Sequence, residues 1–455
     1  MGTYLQRANS SPSSQKKFTV STWVKVCREG GDKYMWSMRT DDSNWIGCRF
    51  AVNGCIILQV YTSGSTTGQL QTNAFFRDFS AWYHVVVAVD TTQSTAGDRL
   101  KLYVNGSQET SFSTTTNPSL NADIPITSNF QVATSPYSSQ YSSNSLDGYL
   151  AQFIYADNQA YSPSTFGSTN TNGIWIPNSS PSVTYGNNGF KLDFAGTGTA
   201  ANASGFGADS SGNGNHFASN SLGTNPSTTD TCQNNFATLN PLSTSSFTSL
   251  SKGILVATGN TSANNGHTLG TMAPSAGKWY WEAKYVTAAG STASNYPNVG
   301  VYPMKFSRQP LNGPNFAEAG YYSDGCEYRP DGSKFRNNST SGYGTAWSTG
   351  DIIGVALDME NYAVYFSRNG TFQDSGDPTS GASKTGAAQS WSAAEGAYAV
   401  SCSSYHDSVM QFNFGNPVYT IASGNADANG YGSFEYAPPS GYYALCTKNL
   451  ALYGG

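Results

Sequence analysis

Charge is what this sequence has least of. Asp, Glu, Lys and Arg together make up 11% of 455 residues, fewer than the 13% that are aromatic. The 23 basic residues are outnumbered by 28 acidic ones and form no stripe, which excludes nucleic acid as a partner, since phosphate binding needs clustered cations. No apolar run reaches the ~18 residues that a membrane-spanning helix needs, so no membrane insertion is expected. Residues 1–14 are polar and lack the apolar stretch of a secretory signal, so folding in the cytoplasm is expected. The seven Cys are irregularly spaced with no C-x-x-C pair, which argues for free, buried thiols and against a disulfide framework or zinc site. His84, His216, His267 and His406 show no metal-ligand spacing. No E-x-D-x-x-E strand and no G-x-S-x-G elbow occurs, and Glu282, Glu327 and Glu360 stand alone. The two commonest hydrolytic layouts are therefore missing and the chain reads as no enzyme.

What remains is rich in Ser, Thr, Asn and Gly, with large rings at intervals, the composition of short strands joined by polar turns. Residues 18–26 read F-T-V-S-T-W-V-K-V, with Phe18, Val20, Thr22, Val24 and Val26 sharing a face. Residues 82–90 form the most apolar run and should be a central strand. Residues 99–104 follow and turn at Asn105-Gly106. Asn53-Gly54 predicts a two-residue type I′ hairpin that sets Val52 opposite Cys55 and Cys48 opposite Gln59. Residues 278–286, 351–359, 362–367 and 401–414 supply a second set of strands. No window sustains a 3.6-residue period, so helices should be few and short. The run ending at Asp90, followed by an amphipathic strand and Asn105-Gly106, is echoed by the run ending at Asp358, a similar strand and Asn369-Gly370. Two sandwiches of related topology are the economical reading. The expected division is residues 1–167, an irregular packed bridge at 168–250 anchored by Trp175, Phe190, Phe194 and Phe206, and residues 251–455.

Trp23, Trp82, Trp279 and Trp281 lie within strands and should pack. Rings for stacking on a ligand are sought in loops: Trp45, Tyr137, Tyr141, Tyr343 and Trp347. No transition metal or other cofactor is implied. Asp41, Asp42, Asp90, Asp98 and Asp157 are the carboxylates from which a calcium site would be built, but no D-x-D-x-D-G loop is present and turn-capping is the expected role. D-S-S-G-N-G-N at 209–215 reads as a tight Asx-turn loop.

The motifs F-T-V-S-T-W-V-K (18–25), A-W-Y-H-V-V-V-A-V-D (81–90), D-R-L-K-L-Y-V-N-G (98–106) and L-D-G-Y-L-A-Q-F (146–153) resemble the laminin-G, concanavalin A-like family. G-K-W-Y-W-E-A (277–283), G-D-I-I-G-V-A-L-D (350–358), V-Y-F-S-R-N-G (364–370) and F-N-F-G-N-P (412–417) resemble a SPRY domain. The joining motifs at 186–194, 209–215 and 234–241, with Y-L-Q-R near the start, make the order of parts similar to virion structural proteins of tailed phages of marine type. The resemblance implies an all-β chain of two concanavalin-like antiparallel β-sandwich (jelly-roll) domains. It also implies a fibre, spike or head-decoration protein located in the virion, with itself, other virion proteins and a host surface glycan as partners. The alternatives are a cellular carbohydrate-binding adhesin and a glycan-active enzyme.

Overall fold

The computed structural model describes residues 3–27, 31–222, 227–261, 265–288, 296–306, 318–392 and 396–454. The chain divides into two compact units, Met1–Ser227 and Thr228–Gly455. The division falls inside the stretch read as a bridge, and both sides of it carry strands. Among the described residues the single α-helix is Thr447–Tyr453, in keeping with the lack of helical periodicity.

In the first unit an eight-stranded sheet faces a six-stranded one. The larger runs, by neighbours, Phe112–Thr116, Ser65–Thr72, Ile56–Thr62, Asn44–Phe50, Lys33–Asp41, Asn129–Val132, Tyr4–Ala8, Ala218–Asn220. The smaller runs Phe190–Leu192, Gly148–Asp157, Lys17–Val26, Tyr83–Asp90, Leu100–Val104, Ser107–Gln108. Period-2 alternation turns Trp36, Ile46, Cys48, Leu58, Leu70 and Phe130 inward, all buried. Phe130 meets Phe153, Tyr155 and Phe190 of the other sheet at centroid separations of 6.0, 5.2 and 4.9 Å, and Tyr155 and Phe190 are 5.7 Å apart. Nearly all of Lys17–Val26 is buried on both faces, because residues 159–186 lie over the outside of the smaller sheet. There Trp175 stacks on His84 at 6.0 Å and Phe166 packs with Val86 and Ile154. Phe190, Phe206 and Phe217 are buried as well.

The hairpin at Asn53-Gly54 differs from the two-residue turn. Ala51 N–H donates to Cys55 C=O at 2.8 Å, Gly54 alone has positive φ (84°), and Cys48 pairs with Leu58. The loop is thus three residues, Val52-Asn53-Gly54, with glycine taking the left-handed position. The one-residue slip is decisive: it keeps Cys48 and Leu58 on the core face, where a Cys48–Gln59 register would bury a glutamine amide. All seven cysteines are free.

In the second unit a seven-stranded sheet packs on one of nine strands. The first runs Leu239–Thr244, Gly266–Gly270, Tyr398–Ser404, Asn298–Pro303, Cys326–Tyr328, Ser333–Arg336, Ser339–Gly342. The second has Val409–Asn413, Lys278–Thr287, Ile352–Asp358 and Ala363–Arg368 at its centre. Trp279, Trp281, Val355, Leu357, Val299, Val301 and Cys402 form the core between them.

The sequence echo is a structural one. Tyr83–Asp90 lies between Lys17–Val26 and Leu100–Val104, and Ile352–Asp358 lies between Lys278–Thr287 and Ala363–Arg368. Asn105 and Asn369 both have φ of 49°, followed by Gly106 at 83° and Gly370 at 80°. The Asn105 Oδ1 accepts from His84 N–H at 2.8 Å, and Asn369 Oδ1 from Ile352 N–H at 2.9 Å. At the other strand end, Lys17 pairs with Asp90 at 3.3 Å and Lys278 with Asp358 at 3.2 Å. Each aspartate also caps the turn that follows, at Thr92 N–H and Glu360 N–H.

Candidate ligand site and the polar faces

The chain's own segments lie over at least part of three of the four outer sheet faces. Residues 159–186 cover the six-stranded sheet. Over the nine-stranded sheet, Glu435 and Tyr436 donate their N–H groups to Glu282 at 3.0 and 2.8 Å, and Phe434 packs on Tyr280. Residues 318–322 lie over the seven-stranded sheet, where Ala319 N–H donates to Glu327 at 3.2 Å.

The eight-stranded sheet is only half covered. Register places Ser37, Arg39, Trp45, Gly47, Arg49, Ile57, Gln59, Tyr61, Gln69 and Gln71 on its outer face. Residues 133–146 cross part of it. Trp45 Nε1 donates to Tyr137 Oη at 2.8 Å, Ser37 Oγ to Thr134 C=O at 3.0 Å, and Gln131 Nε2 to Tyr141 Oη. Beyond that strap Arg49, Gln59, Tyr61, Gln69 and Gln71 are half-buried. A chain of bonds crosses the strands here: Arg49 donates to Asp32 at 2.7 Å and to Gln59 Oε1 at 3.0 Å, and Gln59 Nε2 to Thr66 Oγ1 at 2.9 Å.

A concave site lies elsewhere on the first unit. An open cleft of about 630 Å³ is lined by residues 9–16 with Asp123 and Thr127, a volume within the usual range for ligand sites. Its lining is hydroxyls, amides, backbone, the Pro12 ring and one ion pair, Lys16 to Asp123 at 4.0 Å. The loop follows from its sequence, S-S-P-S-S, which forms no strand but offers donors to anchors behind it. Asp157 accepts Ser13 N–H at 2.7 Å and Ser14 N–H at 3.3 Å. Asn188 accepts Ser10 N–H and Oγ–H at 2.9 and 2.8 Å and donates to Ser10 C=O at 2.8 Å. On the far wall Asn9 Nδ2 donates to Ile126 C=O at 2.7 Å. Ser10, Ser11 and Ser13 remain exposed above this fixed base.

The five rings sought in loops are placed differently. Trp45 sits within the strand Asn44–Phe50, 3% exposed, stacked on Tyr61. Tyr343 and Trp347, 7% and 3% exposed, belong to the core of the second unit against Tyr328 and Phe366. Their burial leaves no ring face for a ligand. Tyr137 and Tyr141 are half-buried, and Tyr141 packs on Tyr4 at 4.8 Å. Of the five, Trp45 and Tyr137 are brought together, beside the open half-face and not in the cleft. The cleft's serines were legible only as a polar run ahead of the first long strand, and their anchors Asp157 and Asn188 are 144 and 178 residues away.

The carboxylates considered for calcium have protein donors. Asp41 accepts Ser43 N–H, Asp42 pairs with Arg39, Asp90 accepts Thr92 and Gln93, Asp98 pairs with Lys101, and Asp157 holds the cleft loop. Asp209 centres the 209–215 loop through Ser211 and Asn215 N–H at 2.8 Å each. Among the described residues no three His, Cys, Asp or Glu side chains are grouped to hold a metal ion. One expectation is corrected. Glu327 does not stand alone, because folding brings it beside Glu318: Asn298 Nδ2 lies 3.4 Å from an oxygen of each.

Residues 2–155 match the Concanavalin A-like lectin/glucanases superfamily, and residues 278–417 match the SPRY domain. No curated protein matches. Among solved structures, the SPRY domain of human HERC1 is 18% identical with a TM-score of 0.30, covering 40% of this chain and 99% of its own. A heptameric SAP-like pentraxin from Limulus polyphemus is 16% identical with a TM-score of 0.29, covering 41% of this chain and 89% of its own. Both matched families are binding-type sandwich folds, placed one in each unit. No helix among the described residues is long and apolar enough to cross a membrane.

Proposed function

We propose that this chain is a binding and adhesion protein without catalytic activity, and that its first unit takes a hydroxyl-rich ligand, a surface glycan, in the cleft at residues 9–16. The observation that carries this reading is the cleft itself: ligand-sized, mostly polar, and held from behind by Asp157 and Asn188 so that its donors and acceptors are fixed before binding. Its only full charges, Lys16 and Asp123, offset each other, which suits a neutral polyol better than a polyanion. Against catalysis stand the burial of Glu318, Glu327 and Glu282 and the saturation of Glu282 by five donors. A glycosidase needs two carboxylates open to the sugar.

The setting we propose is the particle of a tailed phage, with the chain serving as fibre, spike or head decoration and assembling with itself or other virion proteins. This rests on the order of sequence motifs. Immunogold labelling of particles with antibody against residues 251–455 tests it: labelled particles support the setting, and label confined to host cell surfaces favours a cellular adhesin instead. A panel of immobilised glycans tests the ligand class. Binding of neutral glycans without release of reducing sugar is expected; turnover abolished by one carboxylate substitution would establish an enzyme.

A further inference from the structure

In the strand Cys326–Tyr328 the two flanking side chains enter the core of the second unit, so alternation turns Glu327 to the opposite face. Gly300 lies across from it, and Asn298, Ser401 and Ser403 share that face. Residues 318–322 close over it. Glu327 is 0% exposed and Glu318 2%. Glu327 Oε1 accepts from Ser403 Oγ at 2.6 Å, Ser401 Oγ at 3.2 Å and Ala319 N–H at 3.2 Å. Glu318 accepts from Arg329 Nη2 at 3.1 Å, Asn265 Nδ2 at 3.0 Å and the Tyr296 hydroxyl. Among the described residues the remaining titratable neighbours carry no positive charge toward the pair. His267 reaches it through Ser401 Oγ at 2.9 Å and is held neutral by burial, and the Cys326 and Cys402 thiols are buried and pushed up.

Among the described residues the count is thus two buried carboxyls against one guanidinium. A second full negative charge there has no cationic partner among the described residues, and an unpaired buried charge is far costlier than a bound proton. A further observation points the same way. Asn298 is fully buried, donates to both carboxyls, and its Oδ1 has no hydrogen-bond partner among the described residues. Of the two charge states of a carboxyl, only the acid carries an O–H that could serve such an acceptor.

We infer that Glu327 keeps a proton beside Glu318, and that this proton fastens residues 318–322 onto the seven-stranded sheet as an alkali-sensitive latch. Burial, then the charge of Glu318, pushes the Glu327 carboxyl up to about 8. The group binds its proton more tightly in the closed state than in the open one, where it titrates near 4.5. The fastening is therefore complete below about pH 4.5, weakens as pH rises, and has lost the proton's contribution above about pH 8. The inference is independent of the ligand reading.

Hydrogen exchange at the amides of residues 319–322, corrected for the chemical exchange rate, tests it on the full chain. The opening constant should rise by up to about tenfold per pH unit between pH 5 and 8 and then level off, and Glu327→Gln should flatten that rise. A flat wild-type profile, or an unchanged slope in Glu327→Gln, overturns the latch. Should Glu327→Gln not fold, infrared spectra of the wild type decide: a protonated carboxyl band persisting at pH 7 and vanishing by pH 10 supports it, and none at pH 7 refutes it.

Discussion

His84 is a polar residue wholly committed to packing. It is fully buried, stacked 4.8 Å from Trp23, and accepts Trp175 Nε1–H at its Nδ1 at 3.0 Å. The proton must then sit on Nε2, which donates to Ser21 Oγ at 2.9 Å. Burial pushes its pKa down to about 3, and does the same to His267 in the second unit. A group depressed on folding contributes stability above its unfolded value near 6.5 that is lost as pH falls toward the folded value, at up to ~1.4 kcal/mol per unit. Calorimetry should show both units losing stability from pH 6.5 to 4. His84→Leu should cost about 2 kcal/mol at pH 7, through the orphaned Trp175 donor and Ser21 acceptor, while reducing the acid dependence. Gly106 is a second residue held by its surroundings. Its φ is 83°, and a Cβ there would lie 2.6 Å from the Trp175 ring. Gly106→Ala should therefore destabilise by about 2–3 kcal/mol, read as a lowered denaturation midpoint.

At the scale of elements, the strands were legible because each carries its own period. Residues 82–90 and 351–359, read as buried strands at matching positions, become Tyr83–Asp90 and Ile352–Asp358, each with a hydrogen-bonded neighbour on both sides. Their amides should be among the slowest to exchange in each unit, those of Phe112–Thr116 at the sheet edge among the fastest. Local pattern failed where a long-range choice decided the outcome. Asn53-Gly54 fits either a two- or a three-residue loop, and the core's need for Cys48 and Leu58 on one face selected the second. Tyr343 and Trp347 sit among Gly, Ser and Thr, as loop rings would, yet they fill the space between two sheets. The pairing of Glu318 with Glu327, and of Ser10–Ser14 with Asp157 and Asn188, joins segments that no sequence spacing connects.

For the whole molecule, the contact division at Ser227 makes a prediction about fragments. Residues 1–227 should fold alone to a cooperative unit. Residues 1–167 should not, because they lack Trp175, Phe190 and Phe217, and with them the cover over His84 and the partners of Phe130. Thermal unfolding of the two fragments checks this. Net charge of −5 over 455 residues leaves little repulsion between copies. Sedimentation of the full chain should accordingly show self-association, and a strict monomer that never binds particles would remove the virion assignment while leaving the binding function standing.

That function rests on the cleft, and a titration followed by NMR on residues 1–227 tests it most directly. A neutral glycan selected from the panel should shift the amides of residues 9–16, Asp123 and Thr127, and Ser11→Trp, which fills the cleft without touching its anchors, should abolish the shifts while the fold persists. Shifts centred instead on Gln59, Tyr61, Gln69 and Gln71, undisturbed by Ser11→Trp, would contradict the account and move the binding site to the open face of the eight-stranded sheet.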